Sequence, residues 1–184
     1  MSVTVPKTKP LLFLAFLTAT ACSIHIVESL IMRTLPVPFI RLGLSNIIVM
    51  YLVSIRKPWE AVAVNITKSI VGGAATFTLL TPATLLSLGG GLAAVLAMWA
   101  AYNLRLGLSM YGVSVCGALA HNLAQLVLVR QVVLPGTRVF VLTPILLFLG
   151  LLSGILTAWI LLLAQKKYDN TEIIDVASNR KTEA

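Results

Sequence analysis

The stretch Tyr111–Leu126, YGVSVCGALAHNLAQL, decides how the rest of the chain is read. It lies inside an apolar run from Ser109 to Val129, and about 20 such residues suffice to cross the hydrocarbon core of a bilayer as a helix. At about 100° per residue, Ser114, Ala118, His121 and Gln125 fall on one stripe, with Asn122 on its flank. Gly112, Cys116, Ala120 and Ala124 recur on the other side and offer a smooth face against which a second helix can pack. One face packs and the other presents chemistry. The polar stripe has two readings from sequence: interhelical hydrogen-bond glue, worth roughly 1 kcal/mol per residue, or a ligand site, because ionisable groups inside membranes mark function. Both can hold at once.

Composition places the whole chain in the same class. Of its 184 residues, 58% are hydrophobic and 11% charged, against about 25% charged in soluble domains. The expected fold is an all-α integral membrane protein, a bundle of about six transmembrane helices. A net charge of +8 raises nucleic acid as a partner, but no basic helix face carries interleaved aromatics, and the charges lie mostly between apolar runs, where they read as topology signals. The two cysteines, Cys22 and Cys116, each sit inside an expected span and imply no disulfide framework.

The first span, Leu11–Met32, carries Ala15 and Ala19 one helical turn apart, a flat patch suited to a partner helix. Deeper in it, His25 and Glu28 share a face, and a carboxylate within a bilayer costs at least ~2.5 kcal/mol unless compensated. Pro36 and Pro38 force a reversal. A second, short span over Ile40–Ile55 begins with Arg41 and carries Ser45 on the same face, with Asn46 turned away. The third, Trp59–Leu80, carries Asn65, Lys68 and Gly72 on one face, and Lys68 lies deep enough that it either has a counter-charge, with Glu28 the candidate, or lines a polar cavity. Pro82 opens a fourth span to Asn103, in which Gly89, Gly90 and Gly91 mark close packing or a kink. The sixth, Leu142–Leu163, holds the small pair Gly150 and Gly154. Residues 1–165 read as the membrane domain and 166–184 as a polar cytoplasmic tail, mobile from Tyr168 onward.

Lys7, Lys9, Arg56, Lys57, Arg105, Lys166 and Lys167 fall on one side of such a bundle, and Arg33, Arg130 and Arg138 on the other. This asymmetry predicts both termini in the cytoplasm.

No glycine-rich loop ending in Gly-Lys-Ser or Gly-Lys-Thr occurs, so an ATP-driven cycle would need other chains. No carboxylates cluster within the membrane to hold a magnesium-bound diphosphate, and Ser114 has no evident base. His25, Glu28 and His121 could meet a transition metal only if the first and fifth helices touched, and their spacing matches no metal motif. No catalytic residue, metal site or cofactor is assigned.

Charge counting gives the ligand its sign. Lys68 lies within the membrane and Arg41 near its outer end, against one deeply embedded carboxylate, Glu28. One cation can pair with Glu28, and the other is left to meet an anionic or strongly accepting ligand, with Asn122, Gln125 and His121 adding hydrogen bonds; the rival account is that Arg41 snorkels to the outer interface.

Glu28, the proline-broken turn, Arg41–Asn46 (RLGLSN), Lys68, Ser87–Gly91 (SLGGG), Gly112–Ala118 (GVSVCGA), His121-Asn122 and Gln125 resemble, in order over roughly residues 11 to 165, one bacterial membrane family. It is the family called heptaprenyl diphosphate synthase component I, also Gx transporter. That family is similar to the substrate-binding S-components of energy-coupling-factor (ECF) transporters, which are six-helix proteins of the cytoplasmic membrane. The resemblance implies a substrate-binding set of Glu28, Arg41, Asn46, Lys68, Ser114, His121, Asn122 and Gln125. It implies docking on a transmembrane coupling subunit through Ala15 and Ala19, with ATPase subunits on further chains. The family's name implies the alternative, a non-catalytic membrane component associated with heptaprenyl diphosphate synthase. Two positions depart from the pattern: the family often has lysine at the position of Arg41 and arginine at that of Lys68, which keeps charge but changes hydrogen-bond geometry.

Overall fold

The computed structural model describes residues 8–33, 43–104, 107–135 and 138–182, and every regular element among them is helical. Six α-helices follow one another: α1 (Thr8–Arg33), α2 (Asn46–Ser54), α3 (Pro58–Ala75), α4 (Pro82–Asn103), α5 (Met110–Leu128) and α6 (Thr143–Thr182). A π-helical turn, Val129–Val133, extends α5, and a 3₁₀ turn, Val139–Leu142, leads into α6.

The helix starts have local causes. Pro58 and Pro82 stand in the first turns of α3 and α4, where a missing N–H costs nothing. Ser109 caps α5, its side chain accepting from the Gly112 N–H at 3.3 Å. Between α2 and α3 the chain reverses through Arg56 at φ +63°, with the Lys57 N–H reaching back to the Leu52 carbonyl at 2.9 Å. The Arg56 guanidinium then lies 5.6 Å from the ring centroid of Tyr102.

Among the described residues four helices are long and apolar enough to cross a membrane, over Leu11–Ile31, Pro82–Asn103, Met110–Val133 and Phe140–Lys167. This is fewer than the six crossings expected. Among the described residues the second expected span is helical only over the 9 residues of α2, a rise of about 14 Å against a core of about 30 Å. The third, α3, has its apolar run broken by Glu60, Asn65, Lys68 and Ser69. α6 differs in the other direction. Its 40 residues run through the stretch expected to be a mobile tail, and no glycine or proline between Gly154 and Thr182 stops it.

α4 sits between α3 and α5, α1 lies on α3, and α6 packs on α5 and touches α2. The larger apolar cluster joins Val49, Met50 and Val53 of α2 to Val64, Val95, Met98, Val113 and Leu161. A smaller one, Leu86, Leu126, Val129 and Leu146, closes the bundle near the α3–α4 turn. Large apolar side chains such as Phe16, Leu96, Phe148 and Trp159 point outward, as a lipid environment requires.

Candidate functional site

The buried polar side chains come from α1, α3, α4, α5 and α6, with Ser45 just before α2 and Thr76 just after α3. They divide by what they bond to.

Three buried amides reach across to main-chain carbonyls of neighbouring helices. Asn122 Nδ2 donates to the Leu146 carbonyl at 2.8 Å, Gln125 Nε2 to the Leu86 carbonyl at 3.4 Å, and Asn65 Nδ2 to the Leu88 carbonyl at 3.4 Å. Each bond lands beside a glycine that makes room for it. A Cβ at Gly150 would stand 2.8 Å from Asn122 Nδ2, one at Gly90 would stand 3.0 Å from Gln125 Cγ and His121 Cε1, and one at Gly91 would collide with the Asn65 amide. A helix carbonyl already holding its own intrahelical bond can take a second donor through its other lone pair, but only where no side chain covers it. Gly90 and Gly91 of the triple glycine thus serve close approach, and α4 runs through them without a break. Asn122 and Gln125 are therefore engaged as interhelical ties.

The second group centres on Lys68. It is 2% exposed, and its Nζ donates to Ser45 Oγ at 3.1 Å and to Asn46 Oδ1 at 2.5 Å. Both acceptors stand where the chain enters α2, just after Gly43, whose φ of +70° suits glycine. The expected Glu28–Lys68 ion pair is not formed: the Glu28 carboxylate accepts the Gly43 N–H instead, and the ion pair among the described residues is Lys57–Glu60 at 2.8 Å. Asn46, expected to face away from Ser45, shares Lys68 with it. The late start of α2 accounts for this: the helix begins only at Asn46, and Ser45 stands in the turn before it.

His25 joins a third set. Its Nε2 lies 3.4 Å from Ser87 Oγ, which lies 3.1 Å from Ser69 Oγ. Gly72 admits the imidazole, since a Cβ there would meet the ring. His25, Glu28 and His121 thus have separate surroundings on Ser87, Gly43 and Gly90, and among the described residues no three metal-ligating side chains are gathered.

Next to Asn46 lies a cavity of about 20 Å³ between α2, α4, α5 and α6, room for one water-sized group. Ser114, Ser153 and Thr157 give it hydroxyls, while Met50 and Met98 give it apolar wall. The polar stripe of α5 therefore splits: Ser114 and Ala118 line this cavity, and His121 and Gln125 lie on Gly90. Ser153 and Thr157 escaped the sequence reading, although their spacing places both hydroxyls on one face of α6. Arg41 lies outside the described residues. Ala15 and Ala19 are exposed on α1, turned away from the bundle.

A helical bundle with several apolar helices long enough to span a bilayer and an interior carrying a cation, amides and hydroxyls defines a polytopic membrane protein. A sequence model of heptaprenyl diphosphate synthase component I matches residues 17–163, and the chain belongs to that family. No curated protein and no solved structure matches the chain.

Proposed function

We propose that the chain is a substrate-binding subunit of an ECF-type importer, an S-component-like protein that captures a small anionic metabolite or vitamin. Its coupling protein and ATPases are separate chains, and both of its termini face the cytoplasm. The observation that carries this reading is Lys68, a cation 2% exposed that donates to Ser45 Oγ and Asn46 Oδ1 beside a cavity carrying hydroxyls. A buried ammonium is costly inside a bilayer and is kept where it meets charge or substrate. Ser45 and Asn46 can exchange places with the carboxylate or phosphate of a ligand, because they bond through rotatable side chains. Ala15 and Ala19, outward on α1, leave a flat strip for the coupling subunit.

The family description supports a second reading, a non-catalytic membrane component bound to a soluble heptaprenyl diphosphate synthase subunit. Purification from native membranes, with mass spectrometry of the chains and small molecules that co-purify, separates the two. A transmembrane coupling protein with ATPases, plus a small anion, is the expected result, and a soluble prenyl diphosphate synthase subunit alone would overturn it. For orientation, Ser178→Cys should resist an impermeant thiol reagent in intact cells, whereas labelling there would place the C-terminus outside.

A further inference from the structure

The cavity between α2, α4, α5 and α6 has two unlike walls. On the α5–α6 side the backbones are locked together, for a Cβ at Gly154 would stand 2.7 Å from the Val115 Cα. That rigid side presents Ser114 and Thr157, each 4% exposed, and Ser153. Among the described residues neither Ser114 nor Thr157 spends its side chain on a hydrogen bond, although Thr18, Thr20 and Thr67 each return theirs to the carbonyl four residues back in their own helix. The opposite side is deformable. Met50 and Met98 are unbranched thioethers able to repack around a guest, and Met98 rests on Gly117, where a Cβ would stand 2.6 Å from its Cγ. Asn46 links the cavity to the ammonium of Lys68.

We propose that this cavity is the inner half of the ligand site, with Ser114, Ser153 and Thr157 as its specificity-determining wall. The ligand is a slim carboxylate or phosphate ester with a hydroxyl or carbonyl group beyond its charge. Its anionic end displaces Asn46 from Lys68, and its body displaces Met50 and Met98 and bonds to the hydroxyls of α5 and α6. The assignment rests on the substrate-binding reading above, and it adds α6 to a site expected from residues of α1, α3, α5 and the stretch leading into α2.

The test needs no knowledge of the ligand. In full-length protein carrying Cys22→Ala and Cys116→Ala, in membrane vesicles, single Ser114→Cys and Thr157→Cys variants are exposed to an anionic (2-sulfonatoethyl) or a cationic (2-trimethylammonioethyl) methanethiosulfonate. The cysteine thiolate attacks the reagent's sulfenyl sulfur, a new S–S bond forms, the S–SO₂ bond breaks, and methanesulfinate leaves with the electron pair. Both variants should react about tenfold faster with the anionic reagent, Lys68→Gln should remove that preference, and Leu146→Cys, in the apolar cluster away from the cavity, should stay unreactive. If both cavity cysteines react no faster than Leu146→Cys, or if their preference survives Lys68→Gln, the assignment falls. Co-purification of a coupling subunit reads the substrate-binding role independently, so failure here with the coupling subunit present relocates the site and leaves the role standing.

Discussion

Asn122 and Lys68 are both polar, both nearly buried and both part of one bundle, yet their hydrogen bonds end on different kinds of acceptor. Asn122 bonds to a main-chain carbonyl of α6, a group fixed by its own helix. Lys68 donates to Ser45 Oγ and Asn46 Oδ1 at the start of the 9-residue α2, side-chain groups that can rotate away. A tie to fixed backbone holds helices together and has nothing to exchange. A tie to rotatable side chains holds a charge ready for another partner. The acceptor thus separates glue from binding site where residue type alone does not, and the difference can be attacked from either side.

The largest effect is expected at Gly91→Ala. The added methyl would occupy the place of the Asn65 amide, a residue fully buried at 0% exposure. Overpacking costs about 1–3 kcal/mol, and displacing a buried amide from its acceptor adds about as much. A loss of about 3 kcal/mol or more is expected, read as a large fall in the unfolding temperature of the purified protein in detergent. An unchanged unfolding temperature would mean that the glycines do not serve the amides.

Lys68→Met should move stability far less. Replacing the ammonium by an apolar chain of similar length removes its desolvation cost but takes a donor from the Ser45 and Asn46 oxygens, so the unfolding temperature should change little. The amount of small anion retained through purification should drop tenfold or more, about 1.4 kcal/mol of binding. Undiminished retention would make Lys68 a structural residue like Asn122.

Ala15→Leu with Ala19→Leu tests a third kind of surface, one that faces out of the bundle. Bulk there separates backbones that small residues let approach. The double variant should keep its unfolding temperature and its ligand but recover several-fold less coupling subunit in a pull-down. Equal recovery would remove α1 as the docking face.

The membrane class, the helix start at Pro82 and the burial of His121, Asn122, Gln125 and Lys68 were all legible in the sequence, because composition and helical period report burial directly. The acceptors were not. Whether an amide meets a carbonyl depends on a glycine in another helix, as with Asn122 and Gly150, and nothing along the chain joins residues so far apart. The Glu28–Lys68 pairing failed for a related reason: charge counting ignores the main chain, and the Gly43 N–H reached the carboxylate first. Ser153 and Thr157 were visible only as two hydroxyls in the apolar part of α6, and their role depends on α2 standing opposite.

The smallest effect is the sharpest test of the glycine–amide pairing. Interhelical hydrogen bonds in membranes average about 0.6 kcal/mol and reach about 1.7, so Asn122→Ala should cost about 1 kcal/mol and leave ligand retention unchanged. Gly150→Ala should cost at least as much, because its Cβ would stand 2.8 Å from Asn122 Nδ2 and push the amide off the Leu146 carbonyl. If Gly150 is small for the sake of Asn122, the two losses share one cause. The double variant, with no amide left to displace, should then be no less stable than Gly150→Ala alone, a coupling of about 1 kcal/mol that independent sites do not show. The other contacts of a Cβ at 150, to Leu119 Cδ2 at 3.3 Å and the Ala118 carbonyl oxygen at 3.5 Å, are mild enough to leave that signal readable. Additive losses in the double variant would assign Gly150 to general helix packing and return Asn122 to the candidates for binding.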